Sequence, residues 1–264
     1  MLKKILYGDI PFFLLNLVKS SSSNLKYYRY IKEQGYARHL YLFANEYLNK
    51  DIQVYKDEQR ELYYVLFEDK RLYFRKDFSK EKIIKLYRSL LMEQDIRSPH
   101  HYIDSMNEIR SDVFVDIGCA EGILSLYLIR KVKHIYLFEC DELWIAALEA
   151  TFEPWRDKVT IVRKYVSSVD HNDEITLDNF FKEKYNQSLF LKMDVEGYER
   201  KVLDGCKMLF KNNPNLDFAI CTYHLSDDEK IISKFLDRYN CYYINRRGFF
   251  RHKLRSVVIR GCNY

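Results

Sequence analysis

Val113-Phe114-Val115-Asp116-Ile117-Gly118-Cys119-Ala120-Glu121-Gly122 decides the fold of this chain. A β-branched apolar run stops in an acid, glycines follow, and Ile123 to Val132 has helical spacing. This is a strand, a loop and a helix with glycines at the bend, where backbone can approach a ligand and a helix N-terminus points at it. Further along, Leu189-Phe190-Leu191-Lys192-Met193-Asp194-Val195-Glu196-Gly197 is another apolar strand that ends in charges. Two such strands in one α/β pattern predict a crevice at the carboxyl edge of a sheet.

Working outward, strands and helices alternate from Val113 on. Strand Val113–Asp116 precedes helix Ile123–Lys131, Ile135–Phe138 precedes Glu142–Thr151, and Val159–Arg163 precedes a short helix near Leu177–Lys184. Leu189–Met193 then precedes Glu199–Leu209, and Phe218–Thr222 precedes Asp227–Tyr239. Tyr242–Asn245, a turn at Arg246-Arg247-Gly248 and Ser256–Arg260 read as a terminal hairpin. The series predicts an α/β, doubly wound, mostly parallel sheet finished by an antiparallel hairpin.

Residues 1–97 lack this rhythm and are read as a helical and small-strand extension; residues 98–264 are read as the sheet domain. Ile10 to Val18 suggests an amphipathic helix docked on the protein, and weak membrane association is the alternative reading. No small-residue cleavage site follows that stretch. Ser20-Ser21-Ser22-Ser23-Asn24 is a polar break or a cap, and residues 26–49 read as helical. Ile52–Tyr55, Glu61–Glu68 and Arg71–Arg75 suggest a small meander. Ser79 caps a helix that runs to about Gln94, and Ser98-Pro99-His100-His101-Tyr102 breaks it.

The chain has 264 residues, of which 47% are hydrophobic and 31% charged, enough for both a core and a polar surface. With 8 glycines and 4 prolines it is neither a disordered nor a turn-rich all-β chain. The net charge of +5 reads as a solvated, partly amphipathic surface, with a site for an acidic partner as the alternative. The six cysteines show no metal-type spacing and read as small core residues in a reducing, cytoplasmic setting. No apolar run approaches the ~18 residues that a membrane span needs.

The chemistry begins at the glycine loop. Glu139, at the end of the next strand, can accept from both ribose hydroxyls of an adenosine; its other reading is a helix N-terminal acid. The geometry serves NAD and S-adenosylmethionine alike, so charge must separate them. Asp116 and Glu121 would repel a pyrophosphate but suit a ligand with a sulfonium and an ammonium group. No Gly-Lys-Ser/Thr stretch is present for a Walker-type phosphate site.

The stretches Asp116-Ile117-Gly118-Cys119-Ala120-Glu121-Gly122, Phe138-Glu139-Cys140-Asp141 and Leu191-Lys192-Met193-Asp194-Val195-Glu196-Gly197-Tyr198-Glu199 resemble the FkbM family of S-adenosylmethionine-dependent methyltransferases. Ile175-Thr176-Leu177-Asp178 and Ser98 to Tyr102 resemble it too, so the likeness spans roughly residues 98–260. It implies a seven-stranded, Rossmann-like class I fold that methylates a hydroxyl of a sugar, glycan or natural-product intermediate, as in polysaccharide biosynthesis. It also implies cofactor contacts at Asp116, Gly118, Cys119, Ala120, Glu121, Gly122, Glu139 and Asp194. Ala120 stands where many methyltransferases have the loop's middle glycine, and fits if its φ is negative.

Methyl transfer from a sulfonium is an in-line displacement with the acceptor oxygen ~3–3.5 Å from the methyl carbon. A sugar hydroxyl is barely ionised at neutral pH and needs a general base or a metal. Asp194, Glu196 and His224 are the catalytic candidates. Asp194 and Glu196 could ligate a divalent ion, serve separately as base and ligand, or hold the cofactor amine; each could also be a plain helix N-terminal acid. His224 ends its strand and has the usual pKa of a base near neutrality. Lys192 should pair with one of these acids, because a lone buried lysine is costly. His100 and His101 could fold over the cofactor or acceptor, and Arg246, Arg247 and Arg255 read as surface, with contact to an anionic glycan as the alternative.

Two other classes compete. A nucleic-acid methyltransferase would show an Asn/Asp-Pro-Pro-Tyr/Phe or Pro-Cys motif and a basic footprint, and none is present. A non-catalytic module of the same fold would bind the donor without turnover. A small-molecule or glycan acceptor is therefore the expected partner. The extension reads as a lid, a dimerisation element for a homodimer or a dock for a biosynthetic partner.

Overall fold

In a computed structural model of the chain, residues 25–35, 40–250 and 253–264 are described. The expectations for Ile10–Val18 and Ser20–Asn24, and part of that for residues 26–49, lie outside them.

Seven strands form the central sheet: β4 (Val113–Ile117), β5 (His134–Phe138), β6 (Val159–Val162), β9 (Leu189–Met193), β10 (Leu216–Cys221), β11 (Tyr242–Phe250) and β12 (Lys253–Cys262). Their order is β11-β12-β10-β9-β4-β5-β6, with β12 antiparallel to both neighbours and the other pairings parallel. This is the expected mostly parallel α/β sheet with a C-terminal antiparallel pair. Chain order runs outward from β4 in one direction through β5 and β6, then resumes on the other side at β9. The crevice of an open sheet opens at such a reversal, beyond the carboxyl ends of β4 and β9.

Every residue of β4 and β9 is buried, as parallel strands covered on both faces require. Alternation sorts their side chains. Val113, Val115, Ile117, Leu189, Leu191 and Met193 face one hydrophobic cluster. Phe114 and Phe190 face the other, which also takes in Leu62, Leu72, Ile83 and Leu90 of the upstream segment. Truncating a fully buried member such as Leu191 to alanine would cost ~2–5 kcal/mol.

The upstream elements are α1 (Leu25–Gln34), α2 (Asn45–Leu48), an antiparallel meander of β1 (Tyr55–Asp57), β2 (Leu62–Phe67) and β3 (Lys70–Tyr73), and α3 (Lys80–Glu93). Ser79 caps α3 by accepting from Lys82 N, as its sequence predicts. The first meander strand starts three residues later than expected.

Downstream helices are α4 (Ile123–Leu128), α5 (Glu142–Phe152), α6 (Leu177–Phe181), α7 (Glu199–Asp204), α8 (Lys207–Asn212) and α9 (Asp228–Arg238), with a small parallel pair β7 (Tyr165–Val166) and β8 (Glu174–Ile175). The single helix expected over Glu199–Leu209 is two. At Gly205 a Cβ would lie 2.0 Å from the Ser167 carbonyl oxygen, and the Asp178 carboxylate caps the second helix through Met208 N and Leu209 N. The hairpin also differs from expectation. Arg246-Arg247-Gly248 is not a turn; β11 continues through it with a register shift at Arg246/Arg247.

Among the described residues, no helix is long and apolar enough to cross a membrane. All six cysteines are free, with Cys119, Cys206 and Cys221 buried.

Candidate active site

Beyond β4 the chain turns at Gly118, whose φ is +72°. A Cβ there would stand 2.0 Å from the Asp194 carbonyl oxygen, so only glycine lets the β4 and β9 exits lie this close. Gly122 has φ +74° and starts α4. Ala120 departs from expectation: its φ is +46°, in the left-handed region. That conformation costs a non-glycine residue ~1–2 kcal/mol. It lets Ala120 N donate to Glu139 Oε2 at 3.0 Å. Glu139 Oε1 accepts from Cys140 N and Asp141 N, which fixes the carboxylate at the crevice edge. Both lone pairs of Oε1 are taken, and Oε2 keeps one for a further donor.

Parallel register sets Asp116 opposite Lys192. Lys192 Nζ lies 2.8 Å from Asp116 Oδ1 and donates to Gly118 O at 2.7 Å, while Ser125 Oγ donates to Asp116 Oδ2 at 2.6 Å. Burial alone would discharge Lys192, but Asp116 and Asp194 outweigh it and hold the ammonium charged. Asp116 is thus internally neutralised, and the loop does not present the two unpaired carboxylates that its sequence suggests.

A cavity of about 270 Å³ lies under this loop, lined by acids from several elements, among them Glu93, Glu121, Asp194 and Glu196, with Tyr102 and Tyr223 beside them. Burial pushes the Glu121 carboxyl up to about 7. Burial, then Asp194 and Glu121, pushes Glu93 up to about 8. Glu93 comes from α3, and nothing in its amphipathic sequence marks it apart from a surface acid.

At the β9 end, Tyr102 donates to Asp194 Oδ2 at 2.8 Å. This brings the Ser98–Tyr102 segment to the site, though through its tyrosine. His100 and His101 are buried and do not line the cavity: His100 packs edge-on against Tyr223 behind its wall, with Nδ1 2.8 Å from the Tyr41 hydroxyl, and His101 Nδ1 lies 3.5 Å from Asp104. Glu196 and Gly197 have φ of +52° and +103°. Their turn is held by Glu199 Oε1, which accepts from Val195 N and Gly197 N. The same oxygen lies 2.7 Å from His224 Nδ1. His224 Nε2 faces Glu196 Oε2 at 3.4 Å and Asp194 Oδ1 at 3.6 Å. Burial lowers the histidine's proton affinity, but Glu199, Asp194 and Glu196 more than compensate and leave it raised. The structure therefore brings Asp194, Glu196 and His224 together. Sequence reading missed Glu199; its place three residues past Glu196 in a charged turn was the available signal.

Arg255 is buried, donating to Thr222 O and Leu225 O beside the β10 exit, and Arg246 pairs with Asp104 at 2.9 Å. Neither is the bare surface cation that was expected.

With this geometry in hand, residues 151–249 match the family model of the methyltransferase FkbM domain. The FkbM resemblance carried by the sequence motifs is thus found over the segment that holds Lys192 to Glu199 and His224. The match starts downstream of the glycine loop and Glu139. Among solved structures, the chain is similar to methyltransferase FkbM from Methylobacillus flagellatus KT, with 17% identity and a TM-score of 0.49, over 70% of this chain and 55% of that one. It is also similar to magnesium protoporphyrin IX methyltransferase from Synechocystis PCC 6803, in a structure with bound SAM, with 13% identity and a TM-score of 0.46, over 70% of this chain and 86% of that one. No curated protein matches the chain.

Proposed function

We propose that the protein transfers a methyl group from S-adenosylmethionine to a hydroxyl of a sugar, glycan or natural-product intermediate. The observation that carries this reading is the acid-lined cavity between the glycine loop and the Asp194–His224 end of β9 and β10. Its donor set suits the ligand. Glu139 Oε2 has capacity for a ribose hydroxyl, and Asp194 offers a carboxylate to ammonium or sulfonium charge. A cation bound beside Glu93 and Glu121 would draw off the protons that burial makes them keep to about pH 8 and 7. Bound S-adenosylmethionine would supply an electrophilic methyl carbon on a good leaving group.

The chain's own residues supply the rest. Tyr102 and Tyr223 wall the cavity beside Asp194. The acceptor oxygen is activated where Asp194, Glu196 and His224 converge. Its proton would be taken up at that end, by one of these groups or by water beside exposed Glu196, while the donor's sulfur would keep the electron pair of the carbon–sulfur bond that is replaced. The position of Glu93 supports reading residues 1–97 as the part that selects what enters.

Titration calorimetry with S-adenosylmethionine and S-adenosylhomocysteine should give one site per chain. Mass spectrometry of hydroxylated acceptors should show gains of one methyl. Folded protein that binds neither nucleoside would overturn the reading; donor binding without transfer to any hydroxyl would favour the non-catalytic alternative.

A further inference from the structure

We propose that His224 Nε2, Asp194 Oδ1 and Glu196 Oε2 form a binding site for one divalent first-row transition-metal ion, such as Mn²⁺. The proposal rests on the methyl-transfer reading and names what activates the acceptor there.

Ligand atoms of a first-row ion stand ~2.0–2.2 Å from it, so neighbouring ligands lie ~3.0–3.5 Å apart. The two separations from Nε2, 3.4 and 3.6 Å, are of that size. The His224 side chain is only 5% exposed, yet its Nε2 makes no hydrogen bond, nor does buried Asp194 Oδ1. Two orphaned buried atoms turned toward one point are costly unless something bridges them. Glu199 supplies the outer shell. Its Oε1 accepts from His224 Nδ1, which puts the proton on that nitrogen and leaves the Nε2 lone pair pointing at the acids. The group whose ligand atoms all lie within 4.8 Å of one another is Asp194, Glu199 and His224, and Glu199 Oε2 is likewise buried without a hydrogen bond; exposed Glu196 joins from the solvent side, 3.4 Å from Nε2.

One imidazole and two carboxylates suit a borderline ion better than calcium, which takes oxygen ligands alone. Glu196 is 86% exposed, so coordination positions remain open on the solvent side. An acceptor hydroxyl in one of them would lose its proton to water more readily at neutral pH. Glu196 sits in left-handed backbone, φ +52°, with its carboxylate facing His224.

The test is Mn²⁺ titration of the 264-residue chain, followed by electron paramagnetic resonance and calorimetry, with donor binding measured in parallel in chelator. One Mn²⁺ per chain is expected. Glu196→Gln, on an exposed side chain that cannot disturb the core, should weaken the ion about tenfold, and Glu199→Gln about 10–100-fold. In both variants the loss should fall more heavily on the ion than on the donor, and methyl transfer should stop in chelator and return with Mn²⁺. No stoichiometric Mn²⁺ on donor-competent protein, or full transfer in chelator, overturns the metal site and leaves the methyltransferase reading standing. Loss of donor binding in untreated wild-type protein would instead sink that earlier reading.

Discussion

Lys192 and Asp116 are partners across the β4–β9 register, and their charges meet 2.8 Å apart in the buried floor of the crevice. The pair separates two jobs. It joins the strand that carries the glycine loop to the strand that carries Asp194, and it removes one negative charge from the cavity. Breaking one side of a buried pair leaves an uncompensated ion, at a cost of ~3–5 kcal/mol. Lys192→Met should therefore lose about that much stability in urea denaturation. Lys192→Met with Asp116→Asn should recover part of it. Equal stability of the single and double variants would show that the pair is not coupled.

Ala120 offers an opposite expectation. Relief of its left-handed backbone is worth ~1–2 kcal/mol, against ~0.4–1 kcal/mol lost to the greater freedom of an unfolded glycine. Ala120→Gly should stabilise the protein by roughly 0.5–1 kcal/mol, read as a rise in melting temperature. Gly118→Ala should do the reverse, because its methyl meets the Asp194 carbonyl.

Glu93 makes stability depend on pH. Its carboxyl is raised from 4.5 to about 8, so between those values the folded chain holds a proton that the unfolded chain has released. Stability must fall as pH climbs through that window, and the penalty is complete above pH 8. Glu121, raised from 4.5 to about 7, adds a drop of the same sign that ends one unit earlier. Glu93→Gln should gain on the order of 2 kcal/mol at pH 9 and little at pH 4. Parallel stability curves for the two proteins across pH would count against the assignment.

Asp194 is 23% exposed; its side chain accepts from one buried tyrosine hydroxyl and helps to keep Lys192 charged, so removing it costs some stability but leaves the core packing in place. Asp194→Ala should keep a melting temperature within a few degrees of wild type, while methyl transfer drops to background. A wild-type turnover number would refute its place at the reacting centre.

The sheet was legible because its signal is local. β4 and β9 are apolar runs that stop at a charge, and β9 begins and ends where its composition changes. Glu139 and Asp194 were visible for the same reason: acids at strand ends are placed by topology alone. What escaped depended on contacts distant in sequence. The break at Gly205 follows from the Ser167 carbonyl, and Gly248, expected in a turn, lies in a strand, where a Cβ would meet Pro99 at 2.3 Å. The neutralisation of Asp116 needed the register with Lys192. Glu199 passed as an ordinary helix-start acid because its bond to His224 spans 25 positions. Glu93 belongs to a helix whose pattern says only which face is apolar.

The fit of α3 over the glycine loop has a practical outcome. Leu90 and Glu93 share a wall with Glu121, so trimming the chain to its sheet would unroof this cavity and strip it of an acid. A shortened version made for crystallography would report on a pocket that the intact molecule never presents, and inhibitors ranked against it would be ranked for the wrong room.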